Sequence, residues 1–316
     1  MVDPQVSVVI PTYNRRAMVV EATASVLAQR DVSLELIVVD DGSTDGTFEE
    51  LRARFDQPTP IRLIRHPLRR GPAAARNTGA AAAQGSLIAF LDSDDLWSPL
   101  KLRRQLDFMA AHPRCAIAQC AERWLRDGRQ VNPGRRHLKR AGDIFVESLR
   151  TCLISPSAVI LRAELFRAIG GFDEQFEAAE DYDLWLRILA RHEVGLVAEP
   201  LVTRRAGHPD QLSATVCALD RFRILALLKL LAGDGLSEER RTAVCEVLAE
   251  KCRIYGHGLK RRGRSEAAGF VLEIGQRATA GLICGGADFT REIAIMYRLV
   301  AAPETTITSD ARPSAG

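Results

Sequence analysis

The chain has 316 residues, 47% of them hydrophobic and 26% charged, and 43 Lys and Arg against 40 Asp and Glu leave a net charge of +3. These averages exclude a disordered chain, a fibrous repeat and a disulfide-stapled miniprotein, since a chain of this length buries roughly 75% of its unfolded surface. The near balance of charge also excludes a protein that coats nucleic acid by neutralising phosphates, so any anionic partner is bound locally.

The first half alternates short β-branched runs with helical patterns, the mark of βα units and a mostly parallel sheet. Val6–Ile10 reads as a buried strand stopped by Pro11, after which Val20, Ala24 and Leu27 share one helical face. Leu34–Val39 is the second strand. It ends in Asp40-Asp41-Gly42-Ser43-Thr44-Asp45, rich in helix-capping residues, ahead of a helix over 46–55. Ile61–Arg65, more polar, is expected nearer an edge. Gly71-Pro72 opens an alanine-rich helix that runs to about Gln84 and ends at Gly85.

Ser86–Leu91 is the fourth strand, stopping at Asp92-Ser93-Asp94-Asp95, and Ser98-Pro99 starts a helix over 99–111. Cys115–Ala121 and Ala158–Leu161 read as strands around a basic loop at 126–140, and here the sheet is expected to acquire antiparallel pairing. A short helix over 163–169 ends at Gly170-Gly171, a longer one covers 179–192, and Gly195–Thr203 supplies the last strand or strand pair. From about Thr215 the pattern is all-helical, with helices expected at 215–232, 237–262, 265–280 and 288–301. Gly256, Gly263 and Ala268 resemble one tetratricopeptide hairpin, too little for a repeat. Residues 303–316 read as a loose polar tail.

In open α/β sheets ligands sit beyond the carboxyl ends of the strands. Three such ends carry polar clusters: Thr12-Tyr13-Asn14, Asp40–Ser43 and Asp92–Asp95. Each alone is also ordinary turn chemistry, but three on successive strands point to a site. Asp92 and Asp94, with Asp95 beside them, concentrate the hard oxygen ligands that Mg²⁺ and Mn²⁺ prefer. Without a cation such carboxylates repel one another. The economical reading is a phosphate-bearing substrate held with a divalent metal.

Val6-Ser-Val-Val-Ile-Pro-Thr-Tyr-Asn14, Val39-Asp-Asp-Gly-Ser-Thr-Asp45, Ala75-Arg-Asn-Thr-Gly79, Phe90-Leu-Asp-Ser-Asp-Asp95, and Gly171-Phe-Asp followed by Glu180-Asp181 together resemble glycosyltransferase family 2, over about residues 6–210. The resemblance implies a GT-A fold, a Rossmann-like mixed sheet flanked by helices, with the all-helical region as a C-terminal extension. It implies a nucleotide-sugar donor, often UDP-linked, a divalent metal (Mn²⁺ or Mg²⁺) and inversion at the anomeric carbon. By the same resemblance, Pro11, Thr12, Tyr13, Asn14 and Asp40 or Asp41 hold the nucleoside, and Arg76 and Asn77 lie near the base and diphosphate. Asp92 and Ser93 face the ribose or metal, and Asp94 ligates the metal with Asp92 as a second ligand. Asp181 is the matching base and Glu180 the secondary candidate, although both, with Asp183, also suit a helix N-terminus. Trp185 and Trp97 read as core. By the same resemblance His208, after Arg204-Arg205, is a further metal or diphosphate candidate, although a lone histidine is more often structural.

The implied organisation is a catalytic domain over 1–212, in which residues 1–112 bind the donor and residues 113–212 supply the acceptor site and base, then a helical region over 213–302 and the tail. Processive synthases of the family carry Gln-x-x-Arg-Trp after the base. Gln119 to Trp124 has one residue too many and precedes Asp181, so transfer of a single sugar fits better. The acceptor expected is a glycan or lipid-linked sugar of cell-surface synthesis, with no nucleic acid partner and with protein contacts assigned to the helices.

Seven cysteines without a CxxC pair, no basic stretch at Met1–Gln5 and no apolar run of about 18 residues suggest a cytoplasmic protein. Arg135, Arg136, Lys139 and Arg140, and Lys260–Arg262 with Arg264, suit a solvated face or peripheral contact with the inner membrane surface. Two rivals stand beside this reading. A sugar-phosphate nucleotidyltransferase would need a glycine-rich loop after the first strand, and Pro11–Arg16 contains no glycine. A non-catalytic sugar-binding module would not need both a metal pair and a base. The expected site gathers Asp40, Asp41, Asp92, Asp94 and Asp181 into one acidic pocket offset by a metal, with the arginine clusters elsewhere.

Overall fold

The computed structural model describes residues 4–55, 61–132, 134, 137–207, 216–282 and 289–301. The chain divides into two compact units, Met1–Gln211 and Leu212–Gly316.

The first unit is built on one mixed sheet with nine strands among the described residues. Its elements are β1 (Val6–Thr12), α1 (Arg16–Leu27), β2 (Leu34–Asp40), α2 (Thr47–Phe55), β3 (Ile61–Arg65), α3 (Pro72–Ala81), β4 (Leu87–Phe90) and β5 (Leu96–Trp97). There follow α4 (Lys101–Ala111), β6 (Ile117–Arg126), β7 (Arg129–Val131), α5 (Phe145–Arg150), β8 (Val159–Arg162), α6 (Ala163–Ala168), α7 (Glu180–Leu189) and β9 (Gly195–Ala206). The strand order is β3-β2-β1-β4-β8-β6-β9-β5, with β7 hydrogen-bonded to β6. β3, β2, β1 and β4 run parallel, and β8 is antiparallel to both β4 and β6, as the pattern beyond Pro113 predicted.

All seven residues of β1 are buried, which explains its unbroken β-branched run: a central parallel strand is covered on both faces. Alternation sorts the cover. Val6, Val8 and Ile10 join a core with Val19, Ala22 and Val26 of α1, Leu51 of α2 and Leu102, Leu106 and Met109 of α4. Val9 faces the other way, onto α3, where a Cβ on Gly79 would collide with a Val9 methyl. No side chain fits there, so glycine sets how closely α3 lies on the sheet. On that face Phe90 also meets Phe166 and Phe172, at ring separations of 5.6 and 5.3 Å. β3 is half-exposed, and it is an edge strand as expected.

Of three short elements, β7 lies inside the basic loop expected at 126–140, while β5 and α5 lie in stretches to which the sequence pattern assigns no element. Two or three residues carry no period, and the two strands exist through their pairing: Leu96 and Trp97 with the distant Thr203 and Val202, and β7 with β6 in a tight hairpin.

The second unit is helical, with α8 (Asp220–Ala232), α9 (Glu238–Arg261), α10 (Ser265–Thr279) and α11 (Thr290–Ala301). Ser237 caps α9 by accepting the Arg240 N–H at 3.3 Å. α9 packs against α8 and α10, and Arg277 pairs with Glu292 across α10 and α11. Among the described residues no helix is long and apolar enough to cross a membrane. His208, Arg135, Arg136 and residues 303–316 lie outside the described residues.

Candidate active site

The parallel order β2-β1-β4 brings the three polar strand ends to one edge of the sheet. Thr12 pairs in register with Asp40, and the Asp41 N–H donates to the Thr12 carbonyl at 2.8 Å. The clusters at 12–14, 40–43 and 92–95 are therefore neighbours.

Several of their side chains build the loops. Asn14, at φ +50°, donates its backbone N–H to Ser43 Oγ and accepts the Thr44 N–H on Oδ1, both at 2.9 Å. Asp41 is buried and fully engaged: Oδ1 meets His66 Nδ1 at 2.7 Å and the Arg70 N–H at 2.9 Å, and Oδ2 accepts the Gly71 N–H at 2.7 Å. It thereby fixes the 66–71 segment over Gly42, where a φ of +79° and the 2.9 Å at which an added Cβ would meet Arg69 N require glycine. Asp40, also buried, accepts the Ser43 N–H at 3.2 Å and lies 3.3 Å from Arg65 Nε; burial pushes its carboxyl up. Tyr13 carries the Arg69 guanidinium 4.5 Å from its ring centre. Thr12 Oγ1 is buried without a hydrogen-bond partner.

Asp92, Asp94 and Asp95 each offer a carboxylate oxygen within 4.8 Å of the others, and Ser93 is buried between them. Arg76 Nη2 lies 2.7 Å from Asp92 Oδ1, and Arg15 Nη1 lies 2.6 Å from Asp94 Oδ2. Asp95 accepts from Ser157 Oγ at 2.6 Å and from the Arg205 N–H at 3.1 Å, with Arg204 Nε 3.8 Å away. Burial pushes the Asp95 carboxyl up to about 8 against the pull of Arg204. The expected acidic cluster is present at Asp92–Asp95, and arginines outside the two expected basic clusters, Arg15, Arg76 and Arg204, lie against it. Carboxylates this close demand screening, and the fold brings guanidinium groups from the segment before α1, from α3 and from β9 to supply it.

Arg76 links this cluster to the start of α7. It is buried, and Nη1 meets Glu180 Oε1 at 2.6 Å while Nη2 holds Asp92. Burial opposes its charge, but Asp92 and then Glu180 more than offset that, and the net shift is upward. Glu180 is itself buried, which raises its carboxyl. Asp181 differs: it is half-buried, with Oδ1 accepting the Tyr182 N–H at 2.7 Å and Oδ2 3.6 Å from Cys152 Sγ. Ala179, just before them, has φ +58°.

Asn77 does not turn toward the strand ends. Its amide donates to the Phe172 carbonyl at 2.8 Å and to Glu174 at 3.1 Å, and accepts the Phe172 N–H at 3.0 Å, so it clamps the 172–174 turn. Asp183 is paired with Arg187 at 2.8 Å. Trp185 is buried edge-on to Phe172, and Trp97 donates its indole N–H to the Ser157 carbonyl at 2.8 Å, so both are core.

Sequence reasoning passed over Arg15, Ser157 and Cys152. Nothing local distinguishes them, since each acquires its partner from at least 29 positions away: Asp94, Asp95 and Asp181 respectively.

Residues 7–170 match the family described as Glycosyl transferase family 2. An uncharacterized glycosyltransferase of Rickettsia conorii, RC0461, is 35% identical over 199 residues, 63% of this chain and 32% of that protein, so the chain spans about a third of its length. The putative teichuronic acid biosynthesis glycosyltransferase TuaG of Bacillus subtilis is 43% identical over 106 residues, 34% of this chain and 42% of that one. Among solved structures, S. aureus TarS 1–349 in complex with UDP-GlcNAc is similar at a TM-score of 0.73 and 20% identity, over 94% of this chain and 90% of that one. The mannosyltransferase PcManGT from Pyrobaculum calidifontis, in complex with GDP-Man and Mn2+, is similar at 0.58 and 20% identity, over 95% and 81%. At these identities the structural likeness shows the fold, a GT-A-like mixed sheet flanked by helices.

Proposed function

Since the chain belongs to glycosyltransferase family 2, we propose that it transfers a single sugar from a nucleotide-sugar donor, UDP-linked, to a hydroxyl of a glycan or lipid-linked acceptor, with inversion at the anomeric carbon. One observation carries the reading: Arg76 joins the Asp92–Asp95 cluster to the helix that begins Glu180-Asp181, so donor and base functions meet at one side chain.

Oxygens of Asp92, Asp94 and Asp95 within 4.8 Å of one another suit Mn²⁺ or Mg²⁺, which Asp94 and Asp92 would hold. Such an ion supplies Lewis-acid charge where a diphosphate leaving group develops its own. Thr12, Tyr13 and Asp40 border the place for the nucleoside, and Thr12 Oγ1 still lacks a partner. Asp41 and Asn14 act by fixing that border, Asn77 by fixing the turn opposite α3.

Direct displacement needs a base on the acceptor hydroxyl, opposite the leaving group. Asp181 takes that role, because Glu180 is buried and committed to Arg76. Glu180 is a positioning residue. The relatives support the substrate class: TarS and PcManGT have been solved with UDP-GlcNAc and GDP-Man, and TuaG is named for teichuronic acid synthesis. The setting we propose is surface-glycan synthesis at the cytoplasmic face of the membrane, with the helical unit available for protein contacts.

A panel of nucleotide sugars, read by thermal shift and nucleotide release with and without Mn²⁺, tests the proposal. It predicts stabilisation and metal-dependent release with at least one UDP-sugar. Stabilisation without release from any member would favour a binding module.

A further inference from the structure

Cys152 lies outside every motif, in the stretch between α5 and β8, yet its Sγ is 3.6 Å from Asp181 Oδ2. The approach is built in. The Tyr182 hydroxyl donates to the Leu149 carbonyl at 2.6 Å, which ties the first turn of α7 to the end of α5 and brings the next residues beside Asp181. Lys139 Nζ donates to the Leu153 carbonyl at 3.0 Å and to Ser155 Oγ at 3.1 Å, anchoring the far side of the same stretch.

We propose that Cys152 is a positioning residue for the base, its thiol hydrogen-bonding Asp181 Oδ2 while the Tyr182 N–H holds Oδ1; this rests on Asp181 being the base. The two contacts fix the carboxylate plane. A thiol is a weak donor, so it orients the carboxylate while costing it little basicity, where a hydroxyl or an ammonium in the same place would stabilise the charged form more. The thiol also has a second acceptor, the Ile154 carbonyl at 3.2 Å. Its one proton can therefore face Asp181 while the carboxylate is charged and turn to Ile154 once Asp181 has taken the acceptor's proton. Glu180, on the same helix, feels the charge of Asp181, and Arg76 of α3 pairs with Glu180 and with Asp92.

The test uses the full chain in two arms. In the first, Cys152 is alkylated with iodoacetamide and its peptide quantified by mass spectrometry. A carboxylate charge beside a thiol opposes thiolate formation, so Asp181→Asn should speed labelling about threefold or more at pH 8. In the second, Mn²⁺-supported nucleotide release from UDP-GlcNAc is followed against pH. Cys152→Ala should lower kcat about three- to tenfold with KM unchanged and move the acid limb of the profile upward, and Cys152→Ser should restore most of kcat with the limb moved downward. Unchanged labelling in Asp181→Asn overturns the contact. A Cys152→Ala protein with wild-type kcat and pH profile overturns the role, even where the contact is present. Failure of the base assignment looks different: Asp181→Asn would itself retain turnover.

Discussion

Arg15 Nη1 lies 2.6 Å from Asp94 Oδ2, so a guanidinium from the residue before α1 occupies the carboxylate proposed as metal ligand. The pair is nearly buried, at 16% and 13% side-chain exposure, and a cation reaching Asp94 must share or displace it. Arg15→Gln should therefore tighten Mn²⁺ binding to the nucleotide-free protein about two- to fivefold, the worth of a modest ion pair. Calorimetric titration showing equal or weaker Mn²⁺ binding would mean that Arg15 does not compete for this carboxylate.

Glu180 and Asp181 are adjacent in sequence and opposite in circumstance. Glu180→Gln breaks a buried ion pair with Arg76 and should lower unfolding free energy by about 3 kcal/mol. Asp181→Asn alters a half-buried carboxylate held by the Tyr182 N–H and the Cys152 thiol, and should change stability by less than about 1 kcal/mol while abolishing transfer. Denaturant unfolding together with turnover separates the two roles. A stable, inactive Glu180→Gln beside an active Asp181→Asn would exchange them.

Lys101 is fully buried, with Nζ 3.2 Å from the Val159 carbonyl and 3.8 Å from the Trp97 ring centre, and burial pushes its ammonium down to about 7. The unfolded chain keeps that proton to a higher pH than the native chain. Stability should therefore rise with pH from about 7 toward the ordinary lysine range, and the cost of the charge should be felt in full below 7. Lys101→Met should abolish this slope and stabilise the protein at pH 6 by about 1–3 kcal/mol. A parallel pH dependence in variant and wild type would show that Lys101 stays charged in the native state.

Ala179 adopts φ +58° immediately before the Glu180-Asp181 pair. A left-handed alanine costs roughly 1 kcal/mol that glycine does not incur, offset in part by the greater freedom of glycine when unfolded. Ala179→Gly should leave stability unchanged or raise it by up to about 0.5 kcal/mol, and Ala179→Val should lower it by about 1 kcal/mol or more. A large loss of stability in Ala179→Gly would mean that the methyl group, rather than the backbone, matters there.

Much of this was legible because it is local. β-branched runs, capping turns and Pro72 behind Gly71 announce strands and helices within a few residues, and the acidic and polar clusters sit where parallel strands must end. The polarity of the site was not legible, because its charges pair over long distances: Arg76 meets Glu180 across 104 positions, and Arg15 meets Asp94 across 79. A motif also names a residue without saying which way it points. Asn77 lies in the alanine-rich motif as expected, and its amide is spent on the Phe172 backbone. Likewise Asp40 and Asp41 are indistinguishable as neighbours, yet one keeps a single backbone bond and the other organises the 66–71 segment.

The most direct measurement is calorimetric titration of UDP into the wild-type chain and into Asp94→Ala, each with and without Mn²⁺. The account predicts that UDP binds the wild type, that Mn²⁺ tightens it by about tenfold or more, and that Asp94→Ala loses this tightening while remaining folded. UDP binding that ignores Mn²⁺ in the wild type would contradict the proposal that Asp94 and Asp92 would hold a divalent cation for the diphosphate, and with it the proposed site.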